Sequence, residues 1–434
     1  LGFNLEWTLD NLTSANWDNL ANRLYLSPRQ LDILIEAKDQ VDAKPFGSDL
    51  DAYDNEFQVV THSMAPRPKP DSDFRVRVGA DTCARPFDVS LLNVSAMSFG
   101  SLSGPAVEAL NLGARRGGFY QDTGEGGISP YHVRHGGDLV WEIGSGYFGC
   151  RDRDGYFDRG LFREQANRDS VRMIEIKLSQ GAKPGHGGLL PAAKITEEIA
   201  RTRKIPVAQD CLSPAYHTAF STPRELLEFA ASLRADSGGK PVGIKLCVGH
   251  PWEVFALCKA MLDSGIRLDF IVVDGAEGGT GAAPEEFSDH VGMPLREGLL
   301  LVRNALVGTG LRPDIRLAAS GKVYSAYTMA ANLALGADWC NAARAFMLSL
   351  GCVQTKSCHN DLCPTGVATQ NPNRQRGLVI ADKAPRVANF QRHTLDHLAD
   401  LVAAAGLDHP AELLPHHLLH RRSATELIGL DKMY

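Results

Sequence analysis

The chain has 434 residues, 44% hydrophobic and 22% charged, with a formal net charge of −6. That is a globular balance with length for a large core, and the absence of a broad basic face argues against nucleic acid as a partner. No apolar run reaches spanning length, no signal peptide opens the chain, and nine scattered cysteines fit a reduced, cytoplasmic protein better than a disulfide scaffold.

Residues 1–82, rich in Asp, Asn and Pro, read as a cap or wrapping arm. Ser27-Pro28 supplies an N-cap and a first-turn proline for a helix over 27–40. Over 83–380, short apolar runs alternate with helical segments, the pattern of β-α units around a parallel sheet. Strands are predicted at 91–96, 118–121, 173–177, 207–211, 242–247, 270–274, 316–319 and 339–341. Helices are predicted at 105–116, 223–235, 252–264, 295–308 and 325–335. Eight strands fit a closed (β/α)8 TIM barrel with an N-terminal helical arm and a C-terminal helical tail; an open doubly wound sheet competes. The barrel is preferred because glycine-rich turns follow the later strands, where barrel active sites collect. Residues 123–172 read as an inserted loop, and 381–434 as the helical tail, with a helix near 387–405.

Chemistry concentrates at the strand ends. The first strand closes on Ser95-Ala96-Met97-Ser98-Phe99-Gly100, whose small residues let a flat ring lie against backbone around Met97 and Ser98. Lys245 ends the apolar run Gly243-Ile244-Lys245, where a cation needs an anion or dipole to meet it. After Asp274, the stretch holding Gly278 and Gly279 offers bare N–H groups to an anion. The loops after strands seven and eight bring Gly321, Ala343 and Arg344 to the usual phosphate position of such barrels.

Cys352, Cys358 and Cys363 lie within a dozen residues, the last followed by Pro364. A compact loop aiming three sulfurs at one point suits an iron–sulfur cluster, either three-iron or four-iron with a borrowed ligand. Zinc, disulfides or buried free thiols are the alternatives, although zinc sites usually show paired short C-x-x-C spacings. His132 and His135 fall in the inserted loop, where either is a possible acid. Cys211 reads as a small buried thiol, and His416, His417 and His420 as part of a basic tail helix rather than a metal site.

Several strings together resemble the FMN-binding synthase region of the glutamate synthase large subunit. They are Ser95-Ala96-Met97-Ser98-Phe99-Gly100, Thr123-Gly124-Glu125-Gly126-Gly127, Gln180-Gly181-Ala182-Lys183-Pro184-Gly185, Gly278-Gly279-Thr280-Gly281-Ala282 and Cys363-Pro364-Thr365-Gly366-Val367-Ala368-Thr369-Gln370, in order from about residue 86 to 410. The resemblance implies a (β/α)8 barrel carrying FMN and a 3Fe-4S cluster on Cys352, Cys358 and Cys363. It implies reduction of the imine of 2-oxoglutarate and ammonia to L-glutamate, with hydride delivered by reduced FMN. Lys177 and Arg203 then match the substrate-binding cations, and Glu125 matches the family glutamate that orients ammonia or moves a proton.

Departures from the family pattern widen the expectation. A glutamine that contacts the keto acid in typical members aligns with Leu189, and a nearby glutamate with His186; leucine donates no hydrogen bond. The substrate is therefore a 2-oxo acid with ammonia or an amine, and an N-substituted glutamate synthase or dehydrogenase is the alternative. An electron-transfer or redox-sensing flavoprotein is a third reading. The first cysteine is Cys83, so no N-terminal glutaminase nucleophile is expected, and ammonia arrives free, as an amine or from a partner subunit. No G-x-G-x-x-G opens a βαβ unit, which points to a ferredoxin or flavoprotein electron donor. A homo-oligomer is compatible with all this. The sequence starts at Leu1, so an upstream membrane anchor would lie outside it.

Overall fold

The computed structural model describes residues 48, 50–79, 82–207 and 209–434; the expected helix over 27–40 lies outside these. Eight parallel strands close a barrel: β1 Leu92–Val94, β2 Gln121–Asp122, β3 Leu139–Ile143, β4 Val171–Lys177, β5 Val242–Leu246, β6 Phe270–Asp274, β7 Arg316–Ser320 and β8 Trp339–Ala342. Strand β8 pairs with β1, Asn341 opposite Asn93, which closes the ring and removes the open-sheet alternative. Strands β3 and β6 are buried along their whole length, as required where helices cover one face and inward side chains fill the other.

The eight strands are not quite the eight expected. Residues 207–211 contribute no barrel strand: Val207 is exposed, and Cys211–Leu212 pairs antiparallel with Leu189–Leu190 outside the barrel. The missing member is β3, inside the supposed insertion. Its run Leu139-Val140-Trp141-Glu142-Ile143 is uninterrupted and apolar but for one acid, and Trp141 stacks on Phe162 of the following helix Arg159–Ala166 at 5.3 Å. Each such fully buried large side chain contributes on the order of 1.5–3 kcal/mol. Helix Gly104–Gly117 starts where the Ser103 side chain accepts the Ala106 N–H and ends at Gly118 in the left-handed region, φ 67°.

The C-terminal helix Ile380–Ala404 packs along Gly104–Gly117. Beyond it the chain is not helical in the way expected. Leu418–Ser423 is a strand, paired antiparallel with Glu426–Gly429 on one side and with Gln58–Val60 on the other. His420 therefore sits on a sheet opposite Gln58, and the Arg421 guanidinium turns inward onto the Ala52 carbonyl at 2.6 Å. Pairing with the distant N-terminal strand decides this conformation, and local sequence carries no trace of such a partner.

Register is what matters for the site. Lys245 of β5 lies opposite Lys177 of β4, and Glu142 of β3 lies opposite Glu175 of β4. Four ionisable side chains from three adjacent strands thus come to adjoining levels of the barrel.

Candidate functional site

Within the barrel these side chains form a polar layer in place of the usual branched aliphatics. Lys245 Nζ donates to Glu142 Oε2 at 3.0 Å, with both side chains almost wholly buried. Burial alone would lower the Lys245 pKa, but the carboxylates of Glu142, Asp274, Glu175 and Asp122 outweigh it and hold the pKa well above normal. Carboxylate oxygens of Asp122, Glu142 and Glu175 lie within 4.8 Å of one another. Burial, then the charge of Glu142, pushes Asp122 up to about 7, and burial with Asp122 raises Glu175 well above the carboxylate range. Asp122 and Glu175 are within hydrogen-bonding reach of each other, so this pair holds a proton that isolated carboxylates would release.

Above the layer a cavity opens at the C-terminal ends of the strands. Of the residues expected to hold a cofactor, Lys245, Gly278, Gly279, Gly321, Ala343 and Arg344 all line it, together with Ser95, Asp274 and Ser320. Close backbone approach explains the glycines. A Cβ on Gly279 would meet the Arg344 guanidinium at 3.0 Å, and Gly321 holds φ 138°, which other residues rarely adopt. Arg344, partly buried at the start of helix Arg344–Ser349, is braced by its Nη2, which donates to the Glu277 carbonyl at 2.8 Å. Met97 and Ser98 stand on the adjoining β1 loop, where a Cβ on Gly124 would come within 2.6 Å of the Ser98 nitrogen. A glycine-walled cleft with one buried lysine and one braced arginine fits a planar phosphorylated cofactor such as FMN.

The expected substrate residues also converge. Lys177 Nζ lies 3.2 Å from Glu125 Oε2, donates to Gln180 Oε1 at 2.8 Å and stands 4.0 Å from Glu142 Oε1. Burial would raise the Glu125 pKa, but Lys177 and then Arg203 win and lower it. Arg203 is buried and stacks on the Phe148 ring at 5.1 Å. Its Nη2 donates to the Phe99 carbonyl at 3.1 Å, which leaves its Nε without a partner among the described residues. The hairpin carrying Leu189 borders the same acid, for a Cβ on Gly188 would meet Glu125 Oε1 at 2.6 Å.

Sequence reasoning passed over Lys183, buried in the Gly181–Gly185 loop and near enough to Glu125 and Lys177 to feel both charges. It also passed over Asp274, whose Oδ2 accepts the Gly181 N–H at 2.7 Å and so ties that loop to β6. A lysine between alanine and proline in a glycine-rich loop breaks no pattern. Acids inside apolar strands do, and that signal was available for Asp122, Glu142 and Glu175 as it was for Lys245.

The cysteine loop follows helix Arg344–Ser349. Cys363 is buried, Cys352 and Cys358 partly so, and all three are free thiols. Burial, with smaller contributions from Cys358 and Cys363, pushes Cys352 up to about 12, so the three sulfurs are near neighbours. They do not gather within 4.8 Å as ligands of a single ion would. A cluster, where each thiolate meets a different iron, tolerates the wider spread, so the trio fits an iron–sulfur group better than zinc. The loop touches the cofactor side: Cys358 Cβ lies 3.8 Å from where a Cβ on Gly281 would be.

The remaining candidates lie elsewhere. His132 is fully buried, pairs its Nδ1 with Ser129 and is pushed down to about 3 by burial; His135 pairs with Glu108 at 2.8 Å. Neither lines the cavity. Cys211 is a buried thiol that receives the Arg203 Nη1 donor at 3.8 Å. Among the described residues no helix is long and apolar enough to cross a membrane.

Known proteins resemble the chain in sequence and in fold. It is 42% identical to the glutamate synthase large subunit-like protein YerD of Bacillus subtilis over 82% of this chain and 68% of that one. It is 35% identical to the archaeal glutamate synthase (NADPH) of Methanocaldococcus jannaschii over 73% of this chain, and spans 59% of that relative's length. A flavocytochrome b2 variant with sulfite bound shares the fold at TM-score 0.50 and 14% identity, covering 98% of this chain and 92% of that one. The model of the conserved region in glutamate synthase matches residues 36–408. With that match across most of its length, the chain belongs to the glutamate synthase family.

Proposed function

We propose that this chain is an FMN and iron–sulfur oxidoreductase that reduces the imine of a 2-oxo acid, foremost 2-oxoglutarate, to L-glutamate or a related amino acid. The observation that carries the reading is the pairing of Lys177 with Glu125 at 3.2 Å beside the glycine-walled cavity, with Lys183 and Arg203 close by. Three cations around one acid suit a dicarboxylate, whose charges need fixed partners in a dry site. When bound, FMN supplies hydride to the imine carbon.

This chain's own residues do the rest. Arg203 and Lys183 are placed to hold substrate carboxylates, and Lys177 to polarise the keto oxygen. Glu125, kept ionised by Lys177 and Arg203, can take a proton from the incoming ammonium so that free amine attacks. Condensation of amine and ketone releases water, and the hydride plus one proton then complete the amino acid. Lys245, held by Glu142 at the cavity floor, places a cation where a reduced flavin accumulates negative charge. Cys352, Cys358 and Cys363 would hold a 3Fe-4S cluster that accepts electrons from a ferredoxin or flavoprotein.

A second reading follows from Leu189. It is 42% exposed and follows Gly188, the residue of that hairpin that abuts Glu125, so the segment bordering the acid carries an apolar side chain with no hydrogen-bonding group. That favours an N-substituted amine over ammonia, hence an N-substituted glutamate synthase or dehydrogenase. Anaerobically reduced protein mixed with 2-oxoglutarate and either ammonia or methylamine tests both. Recovery of the oxidised flavin spectrum only with ammonia supports the first reading, and faster recovery with methylamine the second. No recovery with any oxo acid leaves an electron-transfer or sensing flavoprotein, and colourless, iron-free protein defeats all three.

A further inference from the structure

Lys194 is a lysine that the proposed reaction does not use. It ends the short 3-10 turn Ala192–Lys194, between the hairpin strand Leu189–Leu190 and helix Glu197–Arg203, and is 2% exposed. A buried ammonium normally pairs with a carboxylate. This one donates instead to three backbone carbonyls: Ser101 at 2.9 Å, Cys358 at 3.0 Å and Ala368 at 3.4 Å.

Those carbonyls belong to three separate parts of the site. Ser101 follows the Met97–Ser98 loop on the cofactor side. Cys358 is the middle cysteine, and Ala368 lies five residues after Cys363 on the segment that returns from the cysteine loop. Three N–H donors thus meet three acceptors, one from each segment, and the Asp361 carboxylate and the sulfurs of Cys358 and Cys363 are within electrostatic range. An ammonium satisfied by carbonyl dipoles keeps its full charge available to those sulfurs. In a low-dielectric interior, a fixed cation beside a group that gains an electron stabilises the reduced form.

We propose that Lys194 is a positioning residue for the cysteine loop and that its charge raises the reduction potential of the cluster held there. The inference rests on the cluster assignment made above. It gives the lysine two separable jobs, one geometric and one electrostatic. The geometric job ties the cysteine loop to the turn that leads into the Arg203 helix. The electrostatic job sets how readily the cluster passes electrons toward the cavity.

The two jobs separate experimentally in anaerobically purified full-length protein. Wild type, Lys194→Met, Lys194→Gln and Lys194→Arg are compared for iron, sulfide and flavin content, then titrated with a reductant while the cluster is followed by electron paramagnetic resonance. The expected result is a cluster in all four, with its midpoint potential shifted down in Lys194→Met and Lys194→Gln and close to wild type in Lys194→Arg. Flavin content stays unchanged. Should Lys194→Met fail to fold, Lys194→Gln, which retains two donors, carries the comparison. A cluster-loaded Met or Gln variant with the wild-type midpoint overturns the proposal while leaving the cluster assignment intact. So does loss of iron in every uncharged variant with no shift in the fraction still loaded, because that marks a purely structural lysine. Wild-type protein without iron and sulfide fails at the earlier step and refutes the cluster itself.

Discussion

Lys245 and Glu142 meet at 3.0 Å inside the barrel, reaching across β4, on which Lys177 lies opposite Lys245 and Glu175 opposite Glu142. The pair is a buried cation among several acids, which makes its removal costly in a definite direction. Lys245→Met leaves Glu142 and Asp274 without their shared counter-charge. Breaking one side of a buried ion pair costs about 3–5 kcal/mol. Urea denaturation of the cofactor-free protein should show a loss of that order, and flavin affinity should fall as well. An unchanged midpoint would mean that the acids are neutral in the fold.

The proton held between Asp122 and Glu175 gives a pH signature. A carboxyl whose folded pKa is raised binds its proton more tightly in the native state, so the stability it confers is complete below the ordinary carboxylate range and declines as pH rises. For Asp122 the decline runs from about 4, the unfolded value, to about 7 in the fold. Asp122→Asn keeps an oxygen for the Gly124 N–H, which Asp122 Oδ1 accepts at 2.9 Å, and cannot titrate. The variant should gain stability relative to wild type steadily between about pH 4 and 7 and hold a constant difference above that. Denaturation midpoints for both proteins across this range check it, and a parallel pair of curves would refute it.

How much of this was legible in the sequence depends on what kind of signal each residue sends. Strands β5, β6, β7 and β8 were placed to within about a residue because their apolar runs are bounded by glycine, proline or charge. Strand β3 is hidden because its apolar run holds an acid, Glu142, and lies in a stretch crowded with glycines that reads as a loop, whereas the valine and cysteine of 207–211 look like strand residues even on an exposed loop. The cavity-lining glycines and Arg344 were found because loops after barrel strands have a fixed place in the architecture. Lys194 was not, since it owes its meaning to partners that only the closed barrel brings near, and although Asp122 and Glu175 each stand out as acids inside apolar strands, their pairing is likewise made only by barrel closure. The tail sheet is the same case: Leu418–Ser423 pairs with Gln58–Val60, some 360 residues away in the chain.

Gly124 tests the cofactor side. It adopts φ 64° directly before Glu125, and a Cβ there would press on the Ser98 nitrogen at 2.6 Å and the Met97 carbonyl carbon at 2.9 Å. Both contacts are backbone, so no rotamer relieves them. Left-handed strain alone costs about 1–2 kcal/mol for a residue with a Cβ, and displacing the Met97–Ser98 loop adds to it. Gly124→Ala should therefore lose about 2 kcal/mol or more of stability and bind FMN at least tenfold more weakly, as read by flavin fluorescence quenching. Gly136→Ala is the control: its φ of 67° carries the same strain, but nothing lies within 4 Å of the added carbon, so its flavin affinity should stay at the wild-type value.

Gly113 tests the seam between helices Gly104–Gly117 and Ile380–Ala404. In an isolated helix, alanine is favoured over glycine by about 1 kcal/mol, so propensity argues for Gly113→Ala as a stabilising change. Packing argues the other way. The added methyl would lie 2.5 Å from Val387 Cβ and 2.7 Å from the Ala384 carbonyl oxygen, and Val387 is fully buried with no room to turn aside. Overpacking of a closed seam costs about 1–3 kcal/mol, and here one of the two contacts is backbone, so the upper part of that range applies and the clash wins. Net destabilisation of about 1–2 kcal/mol is expected, with a lower thermal midpoint. Val387→Gly in the same chain removes the nearer obstacle, Cβ and Cγ1 alike, so the double variant should lose less than the sum of the two single ones. Simple additivity would show that the two helices are free to separate at this point.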